Sequence, residues 1–169
     1  MTNIFLYGTL CDIELLEICL GRSLDKTKIL EAKLENHSVF WVKNKNFPVI
    51  KFIHGSIAKG LLVYGLENRD LQMLDFYEGG FNYELKKSFI TLQKNEFLDL
   101  GKKIEAYVYF NNDNKIEIGN VWSLYDWQQR YGLISRLVAK EYMKLRSRSN
   151  EIDLLSEYEK LYNRISAKL

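Results

Sequence analysis

The links between this chain's apolar runs are short, and that narrows the available folds more than any other feature. Apolar or alternating segments read as strands at 5–7, 28–43, 47–53, 58–66, 83–93 and 104–110. Only Asn44-Lys45-Asn46 and His54-Gly55-Ser56 stand between the second, third and fourth of these, and both read as turns. A parallel crossover needs about a dozen residues or more, so most neighbouring strands must run antiparallel. The run over 28–43 is either two strands or one long bent strand, broken near Glu35-Asn36-His37. Pro48, the only proline, belongs at the start of its strand, where its missing N–H does least harm.

Helical signals interrupt and then replace this pattern. Asp12 is a suitable N-cap for an amphipathic helix over Ile13–Leu20, which Gly21 closes. Asn68 caps a second helix with Leu71, Leu74 and Tyr77 on one face, stopped at Glu78-Gly79-Gly80. A charged loop is expected over 95–103 and a polar turn at Asn111-Asn112-Asp113-Asn114. From Val121 onward the period is helical: Trp122, Leu124, Trp127, Tyr131, Ile134, Leu137 and Val138 share a face, with Gly132 placed to kink or split the helix. A polar hinge at 146–150 precedes a last helix carrying Ile152, Leu155, Tyr158, Tyr162, Ile165 and Leu169. That apolar stripe must be covered, either by folding back or by pairing with a second copy as a homodimer through the C-terminal helices. The expected class is α+β: a strongly curved mixed, mainly antiparallel sheet or small β-barrel, with flanking helices and a helical C-terminal extension. Residues 1–118 would form the main domain and 119–169 the extension packed on it.

Composition removes several functional classes. With 24 basic and 22 acidic side chains the formal net charge is +2, and no basic stripe interleaves with the aromatics, so neither nucleic acid nor an anionic membrane surface is an expected partner. No apolar run is long enough to span a bilayer, and Met1-Thr2-Asn3 leads straight into a strand without the features of a signal peptide. The two cysteines, Cys11 and Cys19, make no disulfide framework. They are expected as reduced, buried thiols in a cytoplasmic protein, with Cys11 bordering the first turn. With His37 and His54 they give no metal-ligand spacing, so no metal and no cofactor is expected. Phosphate-loop, dinucleotide and Gly-x-Ser-x-Gly signatures are absent.

Two stretches carry chemistry. Phe5-Leu6-Tyr7-Gly8-Thr9-Leu10 turns from a strand into a helix, leaving several backbone N–H groups to point one way. Such a turn suits a carboxylate or an oxyanion, though an ordinary strand-to-helix corner has the same local signature. Leu74-Asp75-Phe76-Tyr77-Glu78-Gly79-Gly80 places Glu78 in the last turn of a helix, among Phe76, Tyr77 and Phe81. Both the negative helix end and apolar neighbours push a carboxyl pKa upward, toward a group that exchanges protons near neutral pH. A surface glutamate at a helix end is the plainer alternative. Asp75 is expected to bond local backbone or support the helix rather than to pair with Glu78.

Together and in this order, Tyr7-Gly8-Thr9-Leu10 and Leu74-Asp75-Phe76-Tyr77-Glu78-Gly79 resemble the gamma-glutamyl cyclotransferase-like superfamily, in its avirulence-induced-gene-like branch. Phe47-Pro48-Val49, Gly60-Leu61-Leu62-Val63, Tyr83 and Ala106-Tyr107-Val108-Tyr109 match further positions, so the likeness covers about the first 110 residues. The tail from Val121-Trp122-Ser123-Leu124 with Asp126-Trp127 looks like a bacterial subgroup sometimes fused to Nudix hydrolases, although no Nudix signature is present here. The resemblance implies an enzyme that releases 5-oxoproline from a small gamma-glutamyl amine or amino acid by attack of the substrate's own amine. It implies Glu78 as catalytic acid and base, the N–H groups of Gly8, Thr9 and Leu10 as the anion site, and Tyr7 and Tyr83 as pocket walls offering phenol hydrogen bonds. Two departures stand out: Leu85 occupies a position where an arginine is common, with Lys86 following, and Cys11-Asp12 differs from glutathione-specific relatives. The competing implications are a non-catalytic small-molecule-binding or regulatory protein of the same fold, and an interaction module working through its C-terminal helix.

Overall fold

The computed structural model describes residues 1–79, 83–93 and 102–169. Gly80, Phe81 and most of the loop expected over 95–103 lie outside the described residues.

Five strands close into a barrel. β1 (Thr2–Leu6) lies between β3 (Pro48–Leu66) and β5 (Lys103–Asn111), β5 pairs with β4 (Tyr83–Leu92), β4 with β2 (Ile29–Val42), and β2 with β3. Among the described residues only β1–β5 is parallel, while the strands joined most directly, β2–β3 and β4–β5, pair antiparallel. A short sixth strand, β6 (Ile118–Val121), adds to the far end of β2. It is exposed along its length, and the helical periodicity expected from Val121 does not begin there.

β2 and β3 form one long hairpin, and its shape corrects one expectation. The chain reverses after β2, where the Val42 N–H donates to the Phe47 carbonyl and Asn44 takes a positive φ of 59°. His54-Gly55-Ser56 is not a second reversal, because β3 runs straight through it. Instead the β2–β3 register shifts between Glu35 and His37, Asn36 has φ 57°, and its side-chain oxygen accepts from the Gly55 N–H at 3.0 Å. Gly55 itself has φ 77°, a conformation open to glycine. The break near Asn36 and the turn signal at Gly55 are the two sides of a single bulge.

Alternation along β1 divides the interior. Phe5 and Tyr7 point into a core inside the barrel with Ala32, Ile50, Leu62 and Val108, while Ile4 and Leu6 point to a second core under the helices. α1 (Ile13–Leu20) supplies Leu15 and Leu16 to that second core, with Asp12 and Gly21 as its caps. α2 (Asn68–Gly79) supplies Leu74 and Tyr77. Asn68 is the first helical residue rather than the cap: the Glu67 carbonyl receives the Leu71 N–H, and the Asp70 carboxylate accepts from the Glu67 N–H. Arg22 holds the buried Asp70 through two bonds of 2.9 and 2.6 Å.

After β6, Ser123 caps the short α3 (Leu124–Trp127), which passes through a π turn at Gln128–Gly132 into α4 (Leu133–Tyr142). The helix expected from Val121 is thus shorter at its start and split where Gly132 stands. α5 (Leu154–Ser166), capped by Asp153, folds back on α4 and packs Leu154, Tyr158 and Leu161 against the helical core. Among the described residues no helix is long and apolar enough to cross a membrane.

Candidate active site

β1 delivers the chain to the boundary between the two cores, and the turn that follows is built around a close approach. Gly8 has φ −117° and ψ −139°, and a Cβ there would lie 2.7 Å from Pro48 Cγ. The start of β3 therefore occupies the space that any other residue at position 8 would need. Thr9, Leu10 and Cys11 form one 3₁₀ turn, in which the Cys11 and Asp12 N–H groups donate to the Gly8 and Thr9 carbonyls, each at 3.0 Å. The N–H groups of Gly8, Thr9 and Leu10 donate to no group among the described residues. Three backbone donors are left unspent.

Asp12 ends this turn and fixes its position. Its side chain accepts from the Leu15 N–H at 2.9 Å, from Gln128 at 2.7 Å and from Arg136 at 2.9 and 2.6 Å. Burial raises the pKa of this carboxyl, but the hydrogen bonds from Arg136, Gln128 and Leu15 outweigh it and hold the group below its ordinary range. The π turn and α4 are thereby tied to the foot of the Gly8 turn.

The turn forms one wall of a cavity of about 650 Å³, its open mouth included. Tyr7, Gly8, Thr9, Leu10, Glu78 and Tyr83, the six site residues expected from the sequence, all line it. Glu78, next to last in α2, is the single charged side chain among the described lining residues. It is half-buried, makes no hydrogen bond to a described residue, and burial pushes its carboxyl up to about 8. At neutral pH most of it carries a proton it can exchange.

The phenols are more committed than the sequence suggests. Tyr7 donates to the Tyr109 carbonyl at 2.6 Å, Tyr83 donates to the Pro48 carbonyl, and Tyr109 donates to Asp75 at 2.8 Å. Burial raises all three pKa values, with Glu78 adding to each, so these groups stay neutral. Toward a ligand they offer lone pairs, not protons. Asp75 does not bond local backbone; it reaches across to β5 and orients Tyr109.

Ten further described residues line the cavity that sequence reasoning did not assign to the site, Tyr109, Trp127, Ser135 and Tyr158 among them. Tyr109 lay within a recognised strand motif, and a tyrosine one strand from Tyr83 was a usable signal. Trp127, Ser135 and Tyr158 sit on helix faces whose periodicity indicates burial without separating core from cavity. No lysine or arginine is found among the described lining residues, and Lys86 is exposed and bonded to Asn112 and Glu84. The Cys11 thiol donates to the Leu6 carbonyl at 3.2 Å and is pushed up to about 12 by burial, which leaves it an unreactive neutral group. Cys19 is fully buried and is raised as well.

The family model described as gamma-glutamyl cyclotransferase, AIG2-like matches residues 4–129. The chain belongs to that family. The matched span contains the Gly8 turn, Glu78, Tyr83, Tyr109 and Trp127, and ends before Ser135 and Tyr158. AIG2-like protein B of Arabidopsis thaliana is 25% identical over 127 residues, which cover 75% of this chain and 69% of that protein. The solution structure of another Arabidopsis thaliana protein superposes with a TM-score of 0.59 at 21% identity, covering 88% of this chain and 93% of that one. A gamma-glutamyl cyclotransferase superposes with a TM-score of 0.56 at 14% identity, covering 96% and 98%. At these identities the two structures show a shared fold.

Proposed function

We propose that the cavity cyclises a small gamma-glutamyl compound to 5-oxoproline. The substrate's α-amine attacks its own γ-carbonyl carbon, forming the ring C–N bond. The bond from that carbon to the leaving nitrogen then breaks. Glu78 carries two protons in turn from the attacking ammonium, one before and one after the ring bond forms, to the departing nitrogen, which leaves as an ammonium, so the enzyme ends as it began. Turn N–H groups of Gly8, Thr9 and Leu10 hold the substrate's α-carboxylate or the oxyanion. Attack within one molecule needs positioning more than a covalent nucleophile, and the aromatic walls of the cavity supply it.

One observation supports this reading above the rest: a carboxyl poised at about 8 shares a single cavity with three unspent backbone donors. The lack of a cation on the described lining favours amine over amino-acid leaving groups, because a second carboxylate would be buried without a partner. The test is incubation with a panel of gamma-glutamyl amines and amino acids, following 5-oxoproline. Amines are expected to react about tenfold faster or more, and Glu78→Gln to abolish turnover with the fold intact. A wild-type protein that binds the panel without releasing 5-oxoproline is a binding protein, and that result overturns the proposal. So does full activity in Glu78→Gln.

A further inference from the structure

Ser135 lies near the start of α4, beyond the matched span, and is only 4% exposed. Its neighbours along the helix, Ile134, Val138 and Ala139, are buried and apolar. Among the described residues its hydroxyl has no hydrogen-bond partner, not even the carbonyl one turn back that a helical serine can use. The one described side-chain polar atom sealed from solvent without a partner is Trp122 Nε1. The Ser135 hydroxyl is therefore not sealed, and the surface it opens onto is the cavity that Ser135 lines. Alanine would suit both the helix and the burial better, so the serine costs the empty protein stability.

Its neighbour Arg136 is locked onto Asp12 at the foot of the Gly8 turn, which holds this part of α4 rigidly beside the turn. Of the other buried donors on the cavity wall, Tyr7, Tyr109 and Trp127 already give their hydrogens to protein acceptors. We infer that Ser135 is a substrate-binding residue whose hydroxyl donates to the α-carboxylate of a gamma-glutamyl ligand, alongside the N–H groups of the Gly8 turn. The assignment rests on the function proposed above, and it makes α4 part of the site.

The test uses Glu78→Gln protein, in which turnover is blocked, with and without Ser135→Ala. Calorimetry would measure binding of γ-glutamylmethylamide and of 4-amino-N-methylbutanamide, the same molecule without its carboxylate. Loss of the hydroxyl is expected to weaken the first ligand roughly five- to twentyfold and to leave the second unchanged. Without ligand, Ser135→Ala should melt roughly 1–3 °C higher, whereas a structural serine would make it melt lower. Equal affinities for the first ligand, or equal losses for both, overturn the assignment. Release of 5-oxoproline by wild type together with Ser135-independent binding refutes the assignment and leaves the proposed function standing. Ser135-dependent binding without any 5-oxoproline release by wild type does the reverse. Binding of neither ligand overturns both.

Discussion

Glu78 should make the folded protein less stable as the pH rises, and Glu78→Gln should remove that dependence. In the unfolded chain the carboxyl titrates at its ordinary 4.5, and in the folded protein burial moves it to about 8. Below 4.5 the group is protonated in both states and has no effect on folding. Between the two values the folded state binds the proton that the unfolded state has lost. Stability therefore falls by about 1.4 kcal/mol for each pH unit and levels off above about 8. The full difference is at most roughly 5 kcal/mol, and at pH 7 roughly 3 kcal/mol. Solvent reaching the half-buried carboxyl through the cavity mouth screens part of this, which leaves about 2 kcal/mol at pH 7. Glutamine is neutral throughout, so the variant should match wild type near pH 4 and melt roughly 4–8 °C higher at pH 7, with a wider gap at pH 9. Thermal unfolding of both proteins across pH 4–9 measures this directly. In the same range wild-type kcat/KM should rise with pH to a plateau with an apparent pKa near 8. A melting difference that stays constant with pH would show that Glu78 titrates normally. Burial would then leave the carboxyl unshifted, and Glu78 could not serve as the proton carrier.

Gly8→Ala places a methyl 2.7 Å from the rigid Pro48 ring. It should cost about 1–3 kcal/mol in denaturant unfolding and lower turnover about a hundredfold by displacing the turn donors. Arg136→Ala strips two bonds from the buried Asp12 carboxylate, and a loss of roughly 3 kcal/mol is expected at neutral pH. Because Asp12 titrates below its ordinary 3.8 when folded, its contribution is present above that pH and is lost as the pH falls through the folded value. The gap between wild type and Arg136→Ala should therefore close in acid. Ending the chain after Ser149 removes α5 and with it Tyr158, which uncovers the fully buried Tyr142. A lower melting temperature and dye binding to the uncovered surface are expected. If the full chain sediments as a dimer and the shortened one as an equally stable monomer, α5 joins copies instead.

What could be read from the sequence follows the range of the interactions. The first helix was legible to the residue because its signals are local: the Asp12 carboxylate bonds an N–H three residues on, and Gly21 takes the left-handed conformation at its other end. The short links correctly implied a mainly antiparallel, curved sheet, and the one parallel pair among the described residues, β1–β5, joins strands far apart in the chain. Errors arose where one local signal serves two long-range purposes. His54-Gly55-Ser56 has turn chemistry, but its partner is Asn36 across the hairpin, and that pairing converts a reversal into a bulge. β6 is four residues long and exposed, with Gly119-Asn120 between its two apolar residues, so its own sequence does not mark it as a strand; the edge of β2 does. Glu78 and the Gly8 turn each had a plain local alternative, and they stood out only together, as two motifs in the order the family carries them. Trp127, Ser135 and Tyr158 belong to apolar helix faces, and a stripe of that kind reads alike whether it meets packed core or a cavity.

The last 50 residues, which read as an extension packed on the barrel, also reach the cavity. An extension that only covered the barrel would need an apolar face and nothing more. This one spends Gln128 and Arg136 on a carboxylate at the foot of the Gly8 turn, sends the Trp127 indole N–H to the Asn46 carbonyl beside Pro48, and leaves Ser135 unpaired on the cavity wall. Each contact falls on an element that shapes the cavity rather than on the barrel at large. The Gly8 turn is thus clamped from two directions, by Pro48 against its glycine and by α4 through Asp12. On the proposed function, a donor set held on both sides is preorganised for the anionic group of the ligand, which is what electrostatic stabilisation in such a site requires.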